Sequence, residues 1–272
     1  MIERWVESDR GRTRYWISRV QGAPVLAFLH GLGADHTQFD RQVEYFREKY
    51  TVLAWDAPGH GASRPYAEIS FLHGAVELKR ILDREQIGRC VLIGHGLGGM
   101  LAQVFIAHWP ERVRGFIGVG TSPTEGRFFA PAELRRMGWA AKLCGLLPFK
   151  TLHFLIAHRS ARSVYGRANV RVALENFDRR ALVALIRDHL GALAKELDAG
   201  LPACPTLLLV GEKDRLGKTR ARCAAWRERS HVPLYRVRAA GHSAAADNPR
   251  SANRLMHAFI NSLPVEIRAE AR

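Results

Sequence analysis

A chain of 272 residues that is 47% hydrophobic and 25% charged can bury a sizeable core, which excludes a disordered or fibrous chain and suits one large domain or a domain with an insertion. No apolar run approaches the roughly 18 residues of a membrane span, and Met1-Ile2-Glu3-Arg4-Trp5 carries charge where a signal peptide needs an apolar stretch, so a cytoplasmic protein without a membrane partner is expected. The formal net charge of +15 raises the question of nucleic acid, but the 41 Lys and Arg residues are scattered and accompany no nucleic-acid motif, so no such partner is expected.

In chain order, Arg4–Glu7 and Thr13–Ser18 read as an antiparallel hairpin closing one edge of a sheet. Short β-type runs then alternate with helical ones: Val25–Leu29, Gln38–Tyr50, Thr51–Trp55, Phe71–Glu85, Cys90–Ile93, Gly98–His108 and Phe116–Val119. That alternation predicts βαβ units and a mainly parallel sheet. From Thr121 to about Gly200 the spacing is helical, and Pro123, Pro131 and Pro148 separate short helices, as in an inserted helical cap. The strand-helix rhythm resumes with Thr206–Val210, Thr219–Arg229, Leu234–Val237 and a helix over Pro249–Ser262. The expected division is a core of residues 1–120 and 201–264, a cap over 121–200 and a frayed tail over 265–272.

Four cysteines (Cys90, Cys144, Cys204, Cys223) are widely separated with no C-x-x-C pair, so reduced thiols are expected. His153 and His158 are five apart, off the i, i+4 face that a metal pair prefers, so neither a metal nor another cofactor is expected.

Five short stretches carry the chemistry. "FLHGLGADHTQF" (28–39) puts His30-Gly31-Leu32-Gly33 at a strand end, and "WDAPGHGASRP" (55–65) ends the next strand in a proline and glycine turn. "GHGLGGM" (94–100), between an apolar strand and a helix, is written like the turn that presents a nucleophile, but its middle residue is Gly96. "LLLVGEKDRLG" (207–217) puts Asp214 just past a strand, and "AAGHSAAADNP" (239–249) puts His242 in the loop after the last one.

In that order the five resemble the α/β-hydrolase family over nearly the whole chain. The resemblance implies an α/β fold with a mainly parallel eight-stranded sheet, helices on both faces and an inserted helical cap. It implies Asp214 as the acid and His242 as the base of a catalytic triad, with Gly96 at the nucleophile position. The backbone amides of Leu32 and Leu97 would form the oxyanion hole. Asp56 and His60 are expected to brace their turn, His95 to flank the site, and Asp247 to serve as a helix N-terminal carboxylate.

Gly96 has no hydroxyl to add to a carbonyl, and glycine relaxes a strained turn, so the fold survives while the covalent step is lost. Three explanations stay open: an inactivated serine hydrolase, an enzyme in which His242 acts as general base without a serine, and a ligand-binding protein without chemistry. The expected substrate is a small carboxylic ester or lactone with an apolar acyl or aromatic part, since residues 128–158 are rich in Phe, Leu, Trp and Met. Phe128, Trp139 and Phe154 are the candidate lining residues, and Arg127, Arg135, Arg159 and Arg162 the candidates for a substrate carboxylate.

Overall fold

The computed structural model describes residues 1–264; the expected tail over 265–272 lies outside the described residues. The chain opens with β1 (Ile2–Ser8) and β2 (Gly11–Ser18), followed by β3 (Val25–Leu29), α1 (Asp40–Phe46), β4 (Thr51–Trp55), α2 (Phe71–Arg84), β5 (Cys90–His95), α3 (Leu97–His108) and β6 (Val113–Val119). Next come β7 (Thr124–Glu125), four helices, α4 (Pro131–Cys144), α5 (Phe149–Ser160), α6 (Val164–Glu175) and α7 (Arg179–Lys195), and β8 (Asp198–Gly200). β9 (Thr206–Gly211), α8 (Thr219–Ser230), β10 (Leu234–Val237), α9 (Ala244–Asp247) and α10 (Pro249–Ser262) complete the fold.

Eight strands form one sheet in the order β1-β2-β4-β3-β5-β6-β9-β10. The pairs β1 with β2 and β2 with β4 are antiparallel. All others are parallel. Central strands covered on both faces must be apolar on both faces, which is why β3, β4 and β5 read as unbroken apolar runs. Leu26 and Phe28 of β3 pack with Phe39, Phe46, Met256 and Ile260 on one face. Ala27 and Leu29 pack with Leu78, Ile81, Leu101, Phe105 and Trp226 on the other. Full burial of each such large side chain stabilises by roughly 1.5–3 kcal/mol.

The flanking helices have local causes. Ser70 caps α2 by accepting the His73 N–H at 3.0 Å, and Phe71, Ala75, Leu78 and Leu82 recur on its buried face. Asn248 caps α10, with Pro249 in its first turn and Ala252, Met256 and Ile260 buried at four-residue spacing. The expected helix over 38–50 is shorter than its apolar spacing suggests. Asp35 caps a 3-10 turn at His36–Phe39, α1 follows, and the Tyr50 N–H bonds back to the Phe46 carbonyl so that the chain turns into β4.

Between β6 and β9 the chain leaves the sheet. β7 pairs antiparallel with β8, bringing the two ends of the excursion together. Its helices have an apolar cluster of their own, built on Leu152, Val170, Leu174, Phe177, Leu182 and Leu185, into which Leu32 and Ile69 from the sheet side also pack. No helix among the described residues is long and apolar enough to cross a membrane.

Candidate active site

β5 passes into α3 through one residue, Gly96, at φ 51° and ψ −113°. A side chain in that region costs an ordinary residue about 1–3 kcal/mol, whereas glycine enters it freely. The turn is held by the Gly96 N–H donating to the Val119 carbonyl (2.9 Å) and by Thr121 Oγ1 donating to the Gly96 carbonyl (2.6 Å). Just beyond, a Cβ on Gly98 would come within 2.3 Å of the carbonyl oxygens of Leu29 and His30. Only glycine lets α3 approach the end of β3 so closely, which sets the His30–Gly33 loop beside the turn.

Asp214 stands in the turn after β9, where its Oδ1 accepts the Leu216 N–H (2.8 Å) and its Oδ2 accepts from His242 Nδ1 (2.9 Å). Burial by itself raises an aspartate, but here the hydrogen bond and charge of His242 and the Leu216 N–H outweigh it and hold the Asp214 carboxyl below its ordinary value. An ionised carboxylate only accepts, so Nδ1 carries the proton and the lone pair of Nε2 is left for the other side of the ring. That nitrogen faces position 96: a Cβ on Gly96 would stand 3.3 Å from it.

The neighbouring histidines are braced. His95 Nε2 donates to the His242 carbonyl (3.1 Å), and burial together with the nearby His242 pushes its pKa down to about 3, so it stays neutral beside that ring. His30 Nε2 accepts the Ala57 N–H (2.9 Å). Asp56 accepts from the His36 N–H and Nδ1, each at 2.8 Å, and from the Ala62 N–H at 2.6 Å. His60 Nδ1 donates to the Pro58 carbonyl (3.1 Å). These contacts tie the turn after β4 to the loop after β3. Leu97 is the first residue of α3, Leu32 sits in the adjacent loop, and neither backbone N–H has a hydrogen-bond partner among the described residues.

The structure thus brings Gly96, Asp214 and His242 together, with Leu32 and Leu97 on the neighbouring segments. It does not enclose two of the aromatic candidates. Trp139 is 66% exposed and Phe154 is 61% exposed, stacked on His158. The inward stripes of α4 and α5 are carried instead by Leu134 and Met137 and by Leu152 and Ala157, which turns Trp139 and Phe154 outward. Phe128 is partly buried and packs against the main core, while its carbonyl accepts from Arg222 Nε. Arg127 pairs with Glu125 (2.7 Å), Arg135 and Arg159 are exposed, and Arg162 comes beside the histidine loop, its Cγ 3.1 Å from where a Cβ on Gly241 would lie. Aliphatic side chains meet the loops after β3 and β4, Leu174 and Leu182 approaching Gly33 and Ile69 and Leu185 approaching Gly59, while Phe177 and His189 pack edge-on against His60. The helical spacing of Leu174, Leu182 and Leu185 is visible in the sequence, but nothing in it tells which apolar stripe faces these loops. Among the described residues no group of three or more His, Cys, Asp or Glu side chains is arranged to hold a metal ion.

Residues 26–253 match the alpha/beta hydrolase family, and the chain belongs to that family. It is 32% identical to 3-oxoadipate enol-lactonase 2 of Acinetobacter baylyi, in a match spanning 38% of this chain and only 39% of that protein. It is 30% identical to 2-succinyl-6-hydroxy-2,4-cyclohexadiene-1-carboxylate synthase of Escherichia coli over 84% of this chain and 90% of that one. Among solved structures, the enol-lactonase from Burkholderia xenovorans shares the fold with a TM-score of 0.79 at 17% identity, covering 95% of this chain and 100% of that chain.

Proposed function

We propose that this chain is an α/β-hydrolase directed at carboxylic esters or lactones that keeps the base, its orienting acid and the oxyanion donors but lacks the nucleophile. The observation that carries this reading is the aim of His242 Nε2 at position 96, with Asp214 on the opposite ring nitrogen. A serine there would place its oxygen within hydrogen-bond reach of Nε2; glycine removes the acyl-enzyme route and leaves the rest of the arrangement standing.

In this reading the carbonyl oxygen of the ligand is held by the N–H groups of Leu32 and Leu97. His242 Nε2 takes a proton from a water whose oxygen adds to the carbonyl carbon, and returns it to the alkoxide as the C–O bond breaks. Acid and alcohol, or an opened lactone, are the products. Asp214 holds the ring in the required tautomer and stabilises its protonated form. Residues 121–200 act as a cap, and Leu32, Ile69, Leu174, Leu182 and Leu185 favour an apolar acyl or aromatic part in the ligand.

The test is Gly96→Ser assayed on activated esters of increasing acyl length and on lactones. A burst of one product equivalent per chain, abolished by His242→Ala, is expected; a serine variant inert on every ester and lactone ends the proposal. The Gly96 chain is expected to show no burst, and at most the roughly 10³–10⁴-fold acceleration over water that binding and oxyanion donors supply alone. The long match to a relative named as a synthase and not as a hydrolase supports a second reading, in which the His242–Asp214 pair serves as general base on a proton of the ligand itself. Deuterium exchange from solvent into recovered ligand separates the two.

A further inference from the structure

The N–H groups on both sides of His242 lead to one place, the turn 160–163 between α5 and α6. The Ser243 N–H donates to the Ser160 carbonyl (2.7 Å). The Gly241 N–H donates to Asp247 Oδ2 (2.7 Å), and the same carboxylate accepts the Arg162 N–H (2.9 Å to each oxygen) and the Ser163 N–H (2.8 Å). From the sheet side the loop is held by the Lys213 N–H on the Ala240 carbonyl (2.8 Å), by His95 on the His242 carbonyl and by Asp214 on the ring. The base is therefore suspended between the sheet and the helical excursion, and Asp247 is the joint on the second side.

The joint is closely built. Three backbone donors converge on one carboxylate just ahead of the first turn of α6, where the helix dipole also favours negative charge. A Cβ on Gly166 would lie 2.6 Å from Oδ1, and one on Gly241 would lie 3.2 Å from Oδ2, so both glycines leave room for that carboxylate. An asparagine of the same shape has one oxygen instead of two, and its NH2 group would oppose one of the N–H donors.

We infer that Asp247 is a positioning residue that makes the place of His242 depend on the seating of the 160–163 turn. This rests on the reading of His242 as the base. A displacement of the 160–163 turn would pull on Gly241 and Ser243 and carry the imidazole out of line with position 96.

The test uses Asp247→Asn and Asp247→Glu in two backgrounds. In the Gly96 chain, which needs no activity, NMR reads the proton shared by His242 Nδ1 and Asp214 together with amide exchange. Asp247→Asn is expected to broaden or abolish that proton signal and to speed exchange at Gly241, Arg162 and Ser163 by about 10-fold, the equivalent of one lost hydrogen bond, with β5 and β6 unchanged. In the Gly96→Ser background it is expected to lower kcat by about 10- to 100-fold with little change in KM, the signature of a displaced catalytic group. Asp247→Glu, which restores the charge, is expected to recover part of both effects. An unchanged proton signal and unchanged exchange in Asp247→Asn overturn the inference, as does loss of protection throughout the sheet in both variants, which would make Asp247 a stability residue only. If the NMR effects occur and the serine variant is inert, the positioning role stands and the proposed hydrolase function falls.

Discussion

The Nε2 atom of His242 lies 3.3 Å from the point a Cβ on Gly96 would occupy, nearer than any other atom outside the turn itself. The φ of 51° at Gly96 belongs to a conformation that side chains occupy at a cost. Gly96→Ser is therefore expected to lower stability by about 1–3 kcal/mol even as it supplies the hydroxyl. A fall of a few degrees in Tm checks this, and a serine variant as stable as the glycine chain contradicts the strain assigned to the turn.

Asp214 keeps the proton of His242 on Nδ1 because a carboxylate offers only acceptors. An asparagine can turn its NH2 group towards Nδ1, which moves the ring proton to Nε2 and presents position 96 with a donor. In the Gly96→Ser background, Asp214→Asn is expected to reduce kcat by about 10⁴-fold with KM nearly unchanged. Steady-state kinetics on a soluble acetate ester measures it; a loss below 10-fold removes Asp214 from the proposed mechanism.

Acid is expected to destabilise the fold through its buried histidines. Burial pushes His30 and His60 below the ordinary value of 6.5, His95 to about 3 and His189 to about 4. Below about pH 6.5 the unfolded chain takes up protons that the folded chain refuses until its own lower pKa values, so unfolding is favoured by about 1.4 kcal/mol per pH unit for each such group. Burial also lowers His153, and His36 alone works in the opposite sense, since its hydrogen bond to Asp56 outweighs burial and raises it, one group against five. Urea midpoints are expected to be level between about pH 7 and 8 and to fall steadily from pH 6.5 towards 4. A midpoint that rises on acidification contradicts the burial of these rings.

Arg222 on α8 donates to Glu133 on α4 at 2.5 Å, with Lys218 3.5 Å from the same carboxylate and the guanidinium stacked 4.0 Å above Phe129. The arginine side chain is 9% exposed, so Glu133→Gln leaves a nearly buried cation without its counter-charge. The expected cost is about 3 kcal/mol, concentrated where α4 meets the sheet. Limited proteolysis should then cut first within 126–200 while the sheet remains protected. Cleavage spread evenly over the chain would show that this pair does not hold the excursion in place.

The α/β-hydrolase fold was legible in the sequence because its information is local. Apolar runs such as Cys90–Ile93 mark strands buried on both faces, and glycines at 94, 96, 98 and 99 mark a strand and a helix joined by almost nothing. The loops that carry Gly96, Asp214 and His242 were legible for the same reason, each following a strand, while the roles of the three residues came from the resemblance to the family. The sequence also determined what the turn cannot do, as glycine carries no nucleophile. Only the tertiary structure decided which groups meet: Asp214 with His242 across 28 residues, and Asp247 with Arg162 across 85. It also turned Trp139 and Phe154 outward and set Leu174 and Leu182 against Gly33. Helical spacing defines a stripe on a cylinder, but what the stripe lies against depends on distant segments packing together, and that long-range burial has no signature within any short stretch of chain.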